Sequence, residues 1–550
     1  MKLRQISTII LFLFLCVHFG CKHQASDLQK SGNPKLDTQK PNIVVLFADD
    51  ISARELPIYG SNVWSPPRGG TTTDINYKAQ TPVLDKIANE GCYINTAWAS
   101  TICGPSRAMM MTGRYAHLHK WWHNKDKGKA PNGKNSWNLY DSSPHSIAHI
   151  AKAGGYETFW AGKTQMKIAG FPFDEGCFTP GEGSYNTPIH TTDFRLESKW
   201  VNGKKVIFNA DIDKPVHKKS YVQSGWYWKP HVQLMNHPDT NKKLVWWPND
   251  KGSKKQISLN TFGPDVELEF TFDFMERKVK EKKPFFVYHT SHLGHDAWDF
   301  LHPYSGNKWP GTPKISWDGT SYTRTTPNVT GDNGAYDTHS TVTKSGIHHH
   351  VNYLDYQVWQ YLNKFKELGV ENNTIFIFCA DNGTSGYGKS SPISQKGTHV
   401  PLIIYAPGMN LTKKGKQNVL ANLSDIIPTI AELGGVEIPD SYEINGESLV
   451  SFLTTDKPKH RDWIYSYHQD KTLARGNLVM KDGNDIWYDV SAYPEDLVSF
   501  PKIEDWNKVS EAHRKERDVL NKVVPKYNVH ATQHDAPKNG YGKPEPLIVK

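Results

Sequence analysis

Asn42-Ile43-Val44-Val45-Leu46-Phe47-Ala48-Asp49-Asp50 is the stretch from which the fold is read. Up to Ala48 it is an unbroken apolar, β-branched run, without the polar alternation of a half-solvated strand. Such a run is expected of a strand buried on both faces of a parallel sheet. The same signature returns in Phe285-Phe286-Val287-Tyr288, in Thr374-Ile375-Phe376-Ile377-Phe378-Cys379-Ala380 and, shorter, in Tyr156-Glu157-Thr158-Phe159-Trp160-Ala161. Helical patterns lie between these strands. Thr81-Pro82 to Gly91 has an N-cap, a proline at the first position and a closing glycine; another helix begins near Ser143 and stops at Gly154-Gly155. A longer one opens at His348-His349-His350 and carries Val351, Leu354, Val358 and Leu362 at helical spacing toward Gly369. The fold class is therefore α/β, a large mixed sheet flanked by helices. Asp49-Asp50 ends the first strand where open α/β sheets bind ligands, and paired hard oxygens there suit calcium. A solvated strand end with an N-cap for the next segment is the plainer alternative.

Downstream stands Ser100-Thr101-Ile102-Cys103-Gly104-Pro105-Ser106-Arg107-Ala108-Met109-Met110-Met111-Thr112-Gly113-Arg114. A cysteine ending an irregular segment before Pro, Ser, Arg and an apolar run belongs at a helix N-terminus, with the proline near the first helical position. Free N–H groups and the helix dipole favour anions there, and Arg107, one turn in, can add a charge-assisted contact. Cys-x-Pro-Ser-Arg followed by Thr-Gly-Arg resembles the signature of the type I sulfatases. The resemblance implies that a maturation enzyme, of the formylglycine-generating or the anaerobic kind, oxidises Cys103 to formylglycine before folding. One hydroxyl of the hydrated aldehyde would attack sulfur and the other would expel sulfate, a covalent route with a self-cleaving intermediate. It also implies an alkaline-phosphatase-like architecture with a smaller C-terminal α+β subdomain.

Further motifs carry the same resemblance. Gly162-Lys163 resembles the pair that places an ammonium on the sulfate, but Gln165 stands where the family has a histidine, and a glutamine cannot exchange a proton near neutral pH. His289-Thr290-Ser291-His292-Leu293-Gly294-His295 follows a buried strand resembling the family's Pro-Phe-Phe segment. By register His295 takes the ester-oxygen contact, with His292 as the alternative; an imidazole suits protonation of a leaving alkoxide. Asp381-Asn382-Gly383 would ordinarily suggest a hairpin, yet no alternating partner strand follows, so the motif fits the other half of a cation site. The resemblance implies one Ca2+ held by Asp49, Asp50, Asp381, Asn382 and residue 103. The second sulfate lysine falls on Lys389, with Lys396 competing. The histidine triplet at 348–350 is read as solvated surface, because a metal site needs several ligands converging in fixed geometry.

The 550 residues exceed a usual single core. Lys2 and Arg4 before an apolar run from Ile9 to Leu15 form a secretory leader over residues 1–21, too short to span a membrane permanently. Export to the periplasm or the outer membrane of a Gram-negative bacterium follows. Phe19-Gly20-Cys21 resembles a loose lipobox, so Cys21 is a candidate for lipid anchoring, with a polar tether at 22–40. A catalytic region at 41–458, with an insertion at about 181–283, and a C-terminal subdomain at 459–550 complete the division. Cys92, Cys103, Cys177 and Cys379 are too few for a disulfide framework. A net charge of +9 with 18 Trp and 25 Tyr suits a polyanionic partner. No dense Lys/Arg block argues for nucleic acid, so a sulfated polysaccharide fragment is expected, of ulvan, carrageenan or fucan type or a glycosaminoglycan. In the insertion Trp226-Tyr227-Trp228 and Val245-Trp246-Trp247 are equally suited to core packing and to sugar contact. Two alternatives stay open: a phosphodiesterase or phosphonate hydrolase using the same oxidised cysteine, and a glycan-binding lipoprotein without chemistry.

Overall fold

The Asn42–Ala48 run forms a strand with every residue buried, in the middle of an eleven-stranded mixed sheet. The computed structural model describes residues 40–67, 69–124, 139–166, 168, 172–178, 196–209, 213–216, 227, 232–247, 262–295, 311–327, 340–344, 346–530 and 544–550. The leader, Cys21 and all of the tether but Lys40 lie outside them, as do Trp226 and Trp228. Asn42–Ala48 pairs in parallel with Phe285–Thr290 on one side and Thr374–Ala380 on the other, and Glu157–Gly162 adds a fourth parallel strand beyond Phe285–Thr290. Four carboxyl ends therefore open on the same edge. Glu175–Phe178 extends the parallel run beyond Glu157–Gly162, and antiparallel neighbours then make the sheet mixed: Leu402–Tyr405 and Cys92–Trp98 continue one side, and Val232–Met235 and Leu244–Trp247 the other.

Part of the insertion thus extends the main sheet. Its Trp247 packs edge-on against Phe270 of the Gly263–Lys280 helix, at 5.2 Å between ring centroids. Tyr227 is buried and donates its hydroxyl hydrogen to the His292 carbonyl at 2.7 Å. Both aromatics are packing elements here.

Three local expectations change. The Pro82–Glu90 helix is not capped by Thr81, whose hydroxyl bonds Asp85 at 2.9 Å. Its first-turn N–H groups at Val83 and Leu84 donate instead to the buried Asp355 carboxylate, at 3.2 and 2.6 Å, from the neighbouring Ile347–Glu367 helix. A carboxylate offering two acceptors in the interior outcompetes a local hydroxyl. The helix expected from Ser143 begins at Ile147, because Ser146 and His149 form a capping box that fixes the start there. The histidine triplet is not solvated surface: His348 and His350 are buried, and His350 Nδ1 accepts from Gly294 N at 3.1 Å. Burial pushes these imidazoles down, His348 to about 4 and His350 to about 3, so both are neutral, and His350 is a support of the His292–His295 loop.

The C-terminal part forms a four-stranded antiparallel sheet, Ile464–His468, Lys471–Arg475, Val479–Lys481 and Trp487–Asp489, with the helix Glu511–Val523. Asn422 ties it to the large sheet, its amide donating to Trp98 O and Tyr465 O at 3.0 Å each. Nearby, buried Asp425 accepts from His460 Nε2 and Arg461 Nε, both at 2.9 Å. Burial alone would raise this carboxyl, but Arg461 and His460 hold it well below the usual carboxylate range. Breaking a buried pair leaves an uncompensated charge, so Arg461→Ala is expected to lose about 3–5 kcal/mol in denaturant titration. A carboxyl depressed by folding stabilises above its unfolded pKa of about 3.9 and loses that contribution as pH falls toward the folded value. The gap between the native protein and Arg461→Ala is therefore expected to shrink below about pH 4.

Candidate active site

The residues that follow the parallel strands meet at one place. Asp49 and Asp50 follow the central strand, and Asp381 and Asn382 follow Thr374–Ala380. Lys163 follows Glu157–Gly162, and His295 closes the loop after Phe285–Thr290. Cys103 opens the Cys103–Thr112 helix, as the sequence implies, although Pro105 sits at its third position. Asp49, Asp50, Asp381 and Cys103 are all buried, and one ligand atom from each lies within 4.8 Å of the others. Asp50 is held at φ +57°, its N–H donating to Asp381 Oδ1 at 2.9 Å while its carboxylate accepts from Asn382 Nδ2 at 2.7 Å. Gly294, at φ +103°, lets the histidine loop cross the cluster: a Cβ there would stand 2.1 Å from the Asp49 carbonyl oxygen.

Cations surround these carboxylates. Arg107 reaches Asp381 Oδ2 through Nε at 3.1 Å and Nη2 at 2.9 Å, and its Nη2 lies 3.5 Å from Asp49 Oδ1. The Lys163 ammonium contacts Asp49 Oδ2 directly. Lys389 Nζ donates to Asp50 Oδ2 at 2.6 Å and lies 3.3 Å from His295 Nε2. Lys396 instead faces the Tyr387 ring at 5.3 Å. The structure thus brings Lys389 and not Lys396 to the cluster. His295 Nε2 also comes within 3.9 Å of Asp50, whereas His292 stands behind it with its carbonyl accepting from His295 N at 3.1 Å. Lys389→Ala is expected to lower kcat/KM on a sulfate ester by about 100-fold, the scale of one preorganised donor, with Lys396→Ala near wild type in the same assay.

Burial and mutual repulsion set the charges. Burial, with the Asp49 charge beside it, pushes Asp381 up to about 7 against the pull of Arg107. Asp50 is also raised by burial, opposed by Lys389. Burial would raise Asp49 too, yet the charges of Lys163, Arg107 and Lys389 hold its carboxyl well below the usual range. For His295, burial and then Lys163 and Lys389 drive the imidazole well below its ordinary value, so with these neighbours alone it is neutral. The ordinary imidazole range assumed from sequence therefore does not describe this position, and an anion that offset the two ammoniums would move it back up.

The donor set fits a hard divalent cation. Oxygens on opposite sides of an ion at Ca–O lengths of 2.3–2.6 Å are about 5 Å apart, matching the spread of this cluster. Asn382 Oδ1 is buried without a hydrogen-bond partner, as is Asp49 Oδ1, which is what a ligand oxygen needs. Cys103 Sγ is the fourth atom of the cluster, beside the three carboxylates.

Gln165 and Asn124 also touch Cys103 Sγ, through Nε2 at 3.3 Å and Nδ2 at 3.7 Å. Gln165 was legible as a departure from the family's pattern. Asn124 was not: it lies beyond the helix, with no local signal linking it to residue 103.

A family model described as Sulfatase matches residues 41–436. An N-acetylglucosamine-6-O-sulfatase of Bacteroides thetaiotaomicron is 24% identical over 526 residues, covering 86% of this chain and 85% of that protein. An ulvan-active sulfatase of Formosa agariphila is 24% identical over 465 residues, covering 83% and 72%. Among solved structures, Ps i-CgsB in complex with k-i-k-neocarrahexaose superposes with a TM-score of 0.52 at 19% identity, over 90% of this chain and 94% of that one.

Proposed function

The chain belongs to the sulfatase family and is a sulfuric ester hydrolase, and from that premise we propose an exported, formylglycine-dependent, calcium-binding enzyme that desulfates polysaccharide-derived oligosaccharides. The observation that carries this reading is the meeting of Asp49, Asp50, Asp381 and Cys103 within 4.8 Å at the edge where the parallel strands end. A hydrated aldehyde at residue 103 supplies one hydroxyl to attack sulfur and a second to release sulfate, and Ca2+ supplies charge neutralisation beside it. Asp49, Asp50, Asp381 and Asn382 would hold the cation. Arg107 fixes Asp381 and Asp49 relative to the helix that carries residue 103. Lys163, Lys389 and His295 converge from three loops, so a sulfate group arriving there meets two ammoniums already in place and an imidazole next to its ester oxygen.

Conversion of Cys103 has to precede folding, because the residue is 1% exposed in the folded chain and no enzyme could reach it there. A formylglycine-generating or anaerobic sulfatase-maturating enzyme is therefore the proposed partner. The leader directs export, and Cys21 is the proposed site of lipid anchoring. For substrate, the relatives named for an aminosugar 6-O-sulfate and for ulvan, together with the neighbour holding a neocarrahexaose, support a sulfated glycan over a small aryl ester. The positive balance of the chain and its aromatic content agree with that.

The test is a desulfation screen over defined ulvan, carrageenan, fucan and glycosaminoglycan oligosaccharides, with aryl sulfate and aryl phosphonate run in parallel. Release of sulfate from an oligosaccharide faster than from the aryl ester is expected. Turnover of the phosphonate in preference to every sulfate would replace this reading with the phosphonate hydrolase.

A further inference from the structure

Residue 103 is flanked by two carboxamides, and one of them depends on a glycine in the motif itself. Asn124 Oδ1 accepts from Gly104 N at 2.7 Å while its Nδ2 points at Cys103 Sγ. One amide thus caps the first turn of the Cys103–Thr112 helix, whose N-cap residue Ile102 offers no side-chain bond, and donates to the reacting residue. Only a glycine permits this approach: a Cβ at position 104 would stand 2.4 Å from Asn124 Oδ1. On the other side Gln165 is held at φ +52°, and its Oε1 is buried without a hydrogen-bond partner. Backbone strain and an orphan acceptor coincide at the side chain that faces residue 103.

We propose that Asn124, admitted by Gly104, is a catalytic hydrogen-bond donor to the reacting atoms of residue 103, acting with Gln165 as a pair that donates without exchanging protons. The inference rests on the sulfatase reading above. In the converted residue an oxygen replaces Sγ, so the two N–H groups aim at an atom that carries developing negative charge. A carboxamide neither gains nor loses a proton near neutral pH, and what it supplies there is direction and electrostatic stabilisation. Gly104 and Asn124 act as one unit, since the first makes room for the second.

The experiment uses full-length protein co-expressed with a maturation enzyme, with the aldehyde fraction at residue 103 measured by peptide mass spectrometry. Turnover of an aryl sulfate is then expressed per aldehyde. Asn124→Ala is expected to lower kcat by about 100-fold, with KM within about 3-fold, the signature of a lost transition-state donor. In the unconverted thiol form it is expected to lower the melting temperature by about 1–2 °C through the lost cap. Asn124→Asp keeps the acceptor for Gly104 N but has no N–H to give, so the melting temperature is expected to recover while kcat stays low. Gly104→Ala, which changes no charge, should match Asn124→Ala, and the double variant should be no worse than either single one.

Three outcomes overturn the proposal while leaving the sulfatase reading intact. They are a kcat within about 3-fold of wild type in Asn124→Ala, a kcat that recovers with the melting temperature in Asn124→Asp, and losses that multiply in the double variant. Wild-type protein carrying the aldehyde and turning over no sulfate ester overturns both.

Discussion

Cys103→Ala protein is expected to fold, to keep its cation and to lose sulfate-ester turnover by on the order of 10^4- to 10^6-fold, the scale on which enzymes fail without their nucleophile. Residue 103 is buried at the first position of its helix, where alanine is well tolerated and removes only one sulfur atom. Arg107 stays on Asp381, and the ammoniums of Lys163 and Lys389 stay on Asp49 and Asp50, because none of those contacts passes through residue 103. The loss should therefore fall on kcat, with equilibrium binding of a sulfated oligosaccharide within a few-fold of wild type. Steady-state kinetics on an aryl sulfate, with calorimetric binding as the companion measurement, separates the two. Equal losses in binding and turnover would instead point to a collapsed site.

Asp50→Asn carries the second large effect. Asp50 touches Asn382, Lys389 and, through its backbone N–H, Asp381, so its carboxylate sits where both sides of the cluster meet. The substitution keeps the shape and removes one of the charges that would hold a divalent ion. Bound calcium is expected to fall from one per chain to a small fraction, and kcat/KM by about 10^3-fold, in keeping with the several kcal/mol a metal ion contributes. Wild-type protein stripped with a chelator should lose activity to a similar degree and regain it on adding Ca2+. Asp50→Asn should not be rescued by excess Ca2+. Calcium measured by mass spectrometry alongside the kinetics checks both. Undiminished turnover in chelator-stripped protein would remove the cation from this account.

The main sheet was legible because its central strands are apolar without alternation, and burial on both faces is what runs such as Val44-Val45-Leu46 and Ile375-Phe376-Ile377 reflect. Asp49-Asp50 and Asp381-Asn382 were legible for the same reason, as polar residues ending those runs. The parallel pairing of Val45 with Ile377 and with Tyr288 is what puts them on one edge, and no local pattern encodes that pairing. What stayed hidden involved partners distant in the chain. Asp355 caps a helix 272 residues away at Val83, and His350 supports Gly294 from 56 residues away. A histidine triplet at the start of a helix looks solvated until the helix is seen against the loop it holds. Spacing pointed to Lys389 with Lys396 competing, and the turn that sends one to Asp50 and the other over Tyr387 separates them. Asn124 shows the limit most clearly: its partner Gly104 stands inside the motif, but a glycine there does not announce what it makes room for.

The most direct measurement is the dependence of turnover on the state of residue 103. Protein expressed with graded amounts of maturation enzyme yields a series in which peptide mass spectrometry gives the aldehyde fraction and sulfate release gives the rate. Rate per chain should rise in proportion to that fraction and extrapolate to zero for the thiol. Full turnover from chains that still carry a thiol at residue 103, or none from chains that carry the aldehyde with calcium bound, would contradict it.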